Sequence, residues 1–69
     1  MKLSEIKIGM KIRDENGALY VLEHCDEGND QEPSVLYFVE YKDGEVWSEI
    51  YVYDCEFIED FNDGAYTIE

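Results

Sequence analysis

The chain has 69 residues, 18 of them acidic and five basic, giving a net charge of −13. That length fits one domain, residues 1–69, with a small core, since a chain of this size buries only about 60% of the surface its unfolded form exposes. A hydrophobic content of 45%, with six Tyr, three Phe and one Trp, excludes a disordered acidic tail, and the charge excludes phosphate-directed binding of nucleic acid.

In chain order, Met1 to Lys7 contains no apolar run that would serve as a secretory signal or span a bilayer, so the protein reads as cytoplasmic with no membrane partner. Leu3 to Ile6 is the one place for a single helical turn, ahead of Gly9. Met10 and Ile12 alternate with Lys11 and Arg13, the period of a half-buried strand running into an Asn16-Gly17 turn. Leu19 to Cys25 returns on the far side. Asp26 to Pro33 is a polar acidic stretch expected to be a mobile loop, closed by a proline that cannot donate to a ladder. Val35 to Tyr41, rich in β-branched and aromatic residues, turns at Asp43-Gly44 and pairs back through Val46 to Tyr53. Phe57-Ile58 and Tyr66-Thr67-Ile68 give one or two short closing strands, and Asp63-Gly64 is a third hairpin-type dipeptide. No stretch holds a helical period over ten residues. The expected fold is therefore all-β: a small antiparallel five-stranded barrel or strongly bent sheet, with at most one short helical turn.

Four segments, Ile8-Gly9-Met10-Lys11-Ile12, then Gly17-Ala18-Leu19-Tyr20-Val21-Leu22, then Phe38-Val39-Glu40-Tyr41-Lys42-Asp43-Gly44, closed by Val52-Tyr53-Asp54-Cys55-Glu56-Phe57-Ile58, together resemble the small SH3-like barrels. The return strand resembles a G-x-x-Y-x-V pattern, and the hairpin is similar to the Tudor V-x-Y-x-D-G with a short D-x-x-F-I closing strand. The likeness, to the Tudor and KOW types of small barrel, covers about Ile8 to Ile58. It implies the barrel fold. The nucleic-acid binding of the KOW type does not carry over, because those barrels are basic and this surface repels phosphate. A Tudor-type aromatic cage would draw on Tyr20, Tyr37, Tyr41, Trp47, Tyr51 and Tyr53; for rings alternating along strands, packing on a core or a half-exposed sheet face is the commoner role.

Site chemistry is sparse. His24 is the sole histidine, and its neighbour Cys25 points to the opposite face of an extended strand, so nucleophile and base diverge and an enzyme is not expected. Cys25 and Cys55 lack the paired spacing of a zinc site and read as small half-buried residues rather than a disulfide. From Asp26, an EF-hand reading places Gln31 where the loop requires glycine, so no calcium site, and no cofactor of any kind, is expected.

The charge distribution is more telling. Four of the five cations lie in the first 13 residues, whereas Asp14 to Glu69 holds 17 carboxylates against Lys42 alone. Acids fall in groups: Glu23, Asp26, Glu27, Asp30 and Glu32; then Glu40, Asp43, Glu45 and Glu49; then Asp54, Glu56, Glu59, Asp60 and Asp63. Same-face side chains on a strand repeat about every 6.7 Å, near two steps of about 3.4 Å along a DNA strand, so such rows imitate phosphates in spacing and sign. Size, charge and β content resemble the DNA-mimic inhibitors of bacteriophages and mobile elements. The expectation is a small acidic protein, monomer or homodimer, that inhibits or modulates a basic nucleic-acid-binding protein, using the first two acid groups with Trp47, Tyr51 and Tyr53 as anchors. The alternatives are an SH3- or Tudor-like module binding a peptide or cationic side chain through an aromatic face, a structural or accessory phage or plasmid protein acting as an oligomer through an open sheet edge, and an acidic surface that serves solubility alone.

Overall fold

Turn chemistry sets the topology. The computed structural model describes residues 2–69, Leu3 by its backbone alone. After a 3₁₀ turn at Leu3–Glu5 come β1 (Lys11–Asp14), β2 (Leu19–Asp26), β3 (Val35–Lys42), β4 (Glu45–Tyr53), α1 (Asp54–Asn62) and β5 (Tyr66–Ile68). They form one antiparallel five-stranded sheet in the order β4-β3-β2-β1-β5. At the β1–β2 turn the Asp14 carboxylate accepts hydrogen bonds from the Asn16 and Ala18 amides at 2.8 and 2.9 Å. At the β3–β4 turn Asp43 and Gly44 both take positive φ, 55° and 80°, the geometry that matches the twist of a two-residue hairpin.

Two bulges flank β3, one in β2 between Leu22 and His24 and one in β4 where Trp47 is the extra residue between Val46 and Ser48. An unbroken ladder from the Asp43-Gly44 turn would set Glu49 opposite Phe38. The bulge instead sets Ile50 opposite Phe38 and Val52 opposite Leu36, so both aliphatics reach the core side. Ile12, Leu22, Leu36 and Phe38 make the buried face of the sheet, and Phe57 of α1 closes it from above. The Phe57 ring lies 5.0 Å from Phe38 and 5.5 Å from Tyr66, centroid to centroid. Burial of each such side chain contributes about 1.5–3 kcal/mol.

The all-β class holds, but the segment after β4 departs from the sequence reading. Phe57 and Ile58 lie on the nine-residue helix α1, not on a closing strand, and the helix is longer than the single turn expected. Phe57 and Phe61 are one helical turn apart, so both face the sheet. Asp63-Gly64 is the helix stop rather than a hairpin. Gly64 takes φ 91°, its amide bonds to the Phe61 carbonyl at 3.1 Å and the Ala65 amide to the Asp60 carbonyl at 3.0 Å, the paired closure of a Schellman cap. Asp54 and Glu56 suit the helix N-terminus, while the last turn has no cation. The Asp26–Pro33 region carries its own hydrogen bonds: the Asn29 side chain accepts from the Gln31 and Glu32 amides, and the Gly28 amide donates to Ser34 Oγ. Gly28 is the residue that fits there, since a Cβ would fall 2.1 Å from the Glu32 carbonyl oxygen.

Candidate partner-binding face

Helix α1 and the segment leading from the 3₁₀ turn pack on the core side, which leaves the second face of the sheet without a covering element among the described residues. The ladder fixes what this face presents. One rung runs Lys11, Val21, Val39, Glu49; the next runs Arg13, Leu19, Tyr41, Val46. Toward the other end, His24, Tyr37 and Tyr51 align, then Asp26, Val35 and Tyr53. Val39 is only 5% exposed because its rung neighbours and the flanking tyrosines shelter it, whereas Tyr51 is 69% exposed. The Tyr37 and Tyr51 rings pack 4.9 Å apart.

Carboxylates are fastened into this face by the tyrosines. The Tyr41 hydroxyl donates to Glu23 at 2.7 Å, and the Tyr37 phenol interacts with Glu49. These interactions favour the neutral phenols: that with Glu49, then burial and the nearby negative charge, push Tyr37 up to about 12, and that with Glu23 raises Tyr41 as well. His24 Nε2 lies 2.7 Å from Asp26. On the β1 side, Arg13 Nε and Nη2 donate to both oxygens of Glu69 at 2.5 and 3.0 Å, and this bond holds Glu69 below the usual carboxylate range. The face therefore runs from a cationic margin on β1 to a tyrosine and carboxylate field on β2, β3 and β4.

The residues expected to bind a partner are divided among several places. Glu23, Asp26, Glu49, Tyr51 and Tyr53 share the open face. Glu27, Asp30 and Glu32 stand in the β2–β3 loop, exposed. Asp43, Glu45 and Trp47 ring the β3–β4 turn, where the Lys42 ammonium sits 4.6 Å above the Trp47 ring. Glu40 is half-buried on the core side, opposite Ser48, whose hydroxyl donates to it at 2.7 Å. It points away from Glu49, so the second acid group is not one row. The third acid group lies on or just after α1, and Asp54, 9% exposed, accepts from the Cys55 amide. Tyr37 and Tyr41, named above only for an aromatic cage, and Val21, Val35 and Val39 belong to the face by simple alternation along β2 and β3, whereas Asp26, Glu49, Tyr51 and Tyr53 reach it only through the two bulges.

Little else converges. Cys25 packs on the core and is free, its thiol raised by burial and then by Glu27, Asp54 and Asp26; Cys55 is exposed and free. Among the described residues, no three His, Cys, Asp or Glu side chains converge as a metal site would need, and no helix is long and apolar enough to cross a membrane. Comparison with protein-family models, curated proteins and solved structures yields no match.

Proposed function

We propose that the protein is a small acidic binding protein that inhibits or modulates a basic nucleic-acid-binding protein by occupying its nucleic-acid surface, in the manner of a phage or mobile-element inhibitor acting in the cytoplasm. The observation that carries this reading is the open sheet face, where the Tyr41 hydroxyl holds Glu23, and Glu49 shares the face with the exposed ring of Tyr51. Fixed carboxylates provide steering and register for a cationic groove, and the rings provide contact area once water is expelled. Phosphate imitation then rests on this field, since Glu40 and the helix acids are directed elsewhere. The role is binding, without catalysis. The return of the last strand beside the first supports the SH3-like reading of the sheet.

A second reading, an aromatic module for a cationic side chain, is favoured by one contact: Lys42 already seats its ammonium on Trp47. One experiment separates the two. Immobilised protein is exposed to a bacterial lysate at low salt and eluted with duplex DNA. Mimicry expects a nucleic-acid-binding protein released by DNA and lost on Glu23→Gln/Glu49→Gln. Capture that DNA does not release and that Trp47→Ala abolishes supports the module. Failure to recover any basic protein contradicts both.

A further inference from the structure

We infer that the outer edge of β4 is a strand-addition site, which takes an extended basic segment of the partner protein as an additional antiparallel or parallel strand. This rests on the basic-partner reading above. β4 is nine residues long and ends the sheet, with β3 as its one neighbour, whereas the opposite edge, β5, has three residues. Proteins usually protect such an edge with charged side chains, lysine above all, a proline, a bulge or a short strand. β4 has no lysine or proline, and its bulge lies near the turn. Its charged residues are Glu45 and Glu49, and past the Trp47 bulge its ladder with β3 is regular from Ser48 to Tyr53. That leaves a straight edge about as long as a typical strand.

The side chains around the edge specify the occupant. Glu49, Tyr51 and Tyr53 alternate on the open face, and a depression of about 250 Å³ at the same end is lined by Val35, Tyr51, Val52, Tyr53 and Glu56. An added strand that alternates cationic and apolar residues places its cationic set on the open face beside Glu49, Tyr51 and Tyr53, and its apolar set on the other face, at the margin formed by Ile50 and Val52. Main-chain hydrogen bonds supply affinity in this mode, and the alternate side chains supply selectivity. A second copy fits poorly, because joining two β4 edges brings Glu45 and Glu49 of one chain toward the same residues of the other at −13 per chain.

The test is amide hydrogen exchange of the full chain with a short peptide of alternating Lys and Val, and with two versions of it, one N-methylated at every Lys and one at every Val, because alternate amides of an added strand face β4. Strand addition predicts new protection of the alternate amides of Ser48–Tyr53 that point away from β3, and affinity roughly tenfold or more lower for one of the two N-methylated peptides. Equal affinity of all three peptides, or binding with no new protection in β4, overturns the edge site but leaves the basic-partner reading standing. No binding of any of the peptides at low salt overturns both. Protection of these amides by concentration-dependent dimerisation without peptide replaces the basic segment with a second copy.

Discussion

The two faces of the sheet differ sharply in what a truncation should cost, and a pair of substitutions measures that difference. Phe57 is 1% exposed and packs its ring against Phe38, Phe61 and Tyr66 at 5.0, 6.1 and 5.5 Å. Phe57→Ala removes the one side chain of α1 in the fully buried cluster, so the expected loss is about 3–5 kcal/mol. At ~0.05–0.15 kcal/mol per residue, a chain of this length has roughly 3–10 kcal/mol in total, and the variant should be partly or wholly unfolded at room temperature. Tyr51→Ala removes a ring that is 69% exposed and leaves a cross-strand pair with Tyr37 unmade. Its expected cost is about 0.2–1 kcal/mol, a shift of at most about 8 °C in melting temperature. Urea and thermal unfolding followed by circular dichroism give both numbers. A Phe57→Ala cost under about 1 kcal/mol, or a Tyr51→Ala cost equal to it, would refute the assignment of one face to folding and the other to binding.

Three further outcomes are expected. The Tyr37 hydroxyl, raised from 10 to about 12, stabilises the fold fully below pH 10 and loses that contribution as pH rises toward 12; in an NMR titration Glu49→Gln should bring its midpoint down, and no change would remove the hydrogen bond as cause. Gly64→Ala should destabilise by about 1–2 kcal/mol, since φ 91° disfavours any side chain, whereas Ala65→Gly should cost less; equal effects in chemical denaturation would contradict the cap. Melting temperature should rise with NaCl up to a few tenths molar as screening relieves repulsion, and a steady fall would show that attractive pairs dominate.

Much of the sheet is legible in the chain because turn dipeptides and period-2 alternation are local signals. Asn16-Gly17 and Asp43-Gly44 mark real hairpins, and the strands they join fall where β-branched and aromatic residues cluster. Asp63-Gly64 looks the same in sequence but ends a helix, since a positive φ serves both purposes. What distinguishes it is the preceding Phe57, Ile58 and Phe61, spaced for one helical face in a segment too short to show a sustained period. The open face was less legible for a different reason. A bulge moves every later side chain of its strand to the other face, and Trp47 and Glu23 reveal nothing local that announces one. The deciding constraint is non-local: Ile50, Val52 and Cys25 must meet Phe38 and Leu36 in the core, which turns Glu49, Tyr51 and Tyr53 outward.

Competition for a shared surface is measured with a nucleic-acid-binding protein captured on this chain: it is loaded with fluorescent duplex DNA, and the acidic protein is titrated in while anisotropy is followed. Mimicry predicts displacement of the DNA, stronger at low salt, and about tenfold weaker for the Glu23→Gln/Glu49→Gln variant, which loses two charges of the open face. DNA that stays bound while the acidic protein also binds would place the contact away from the nucleic-acid surface and contradict mimicry.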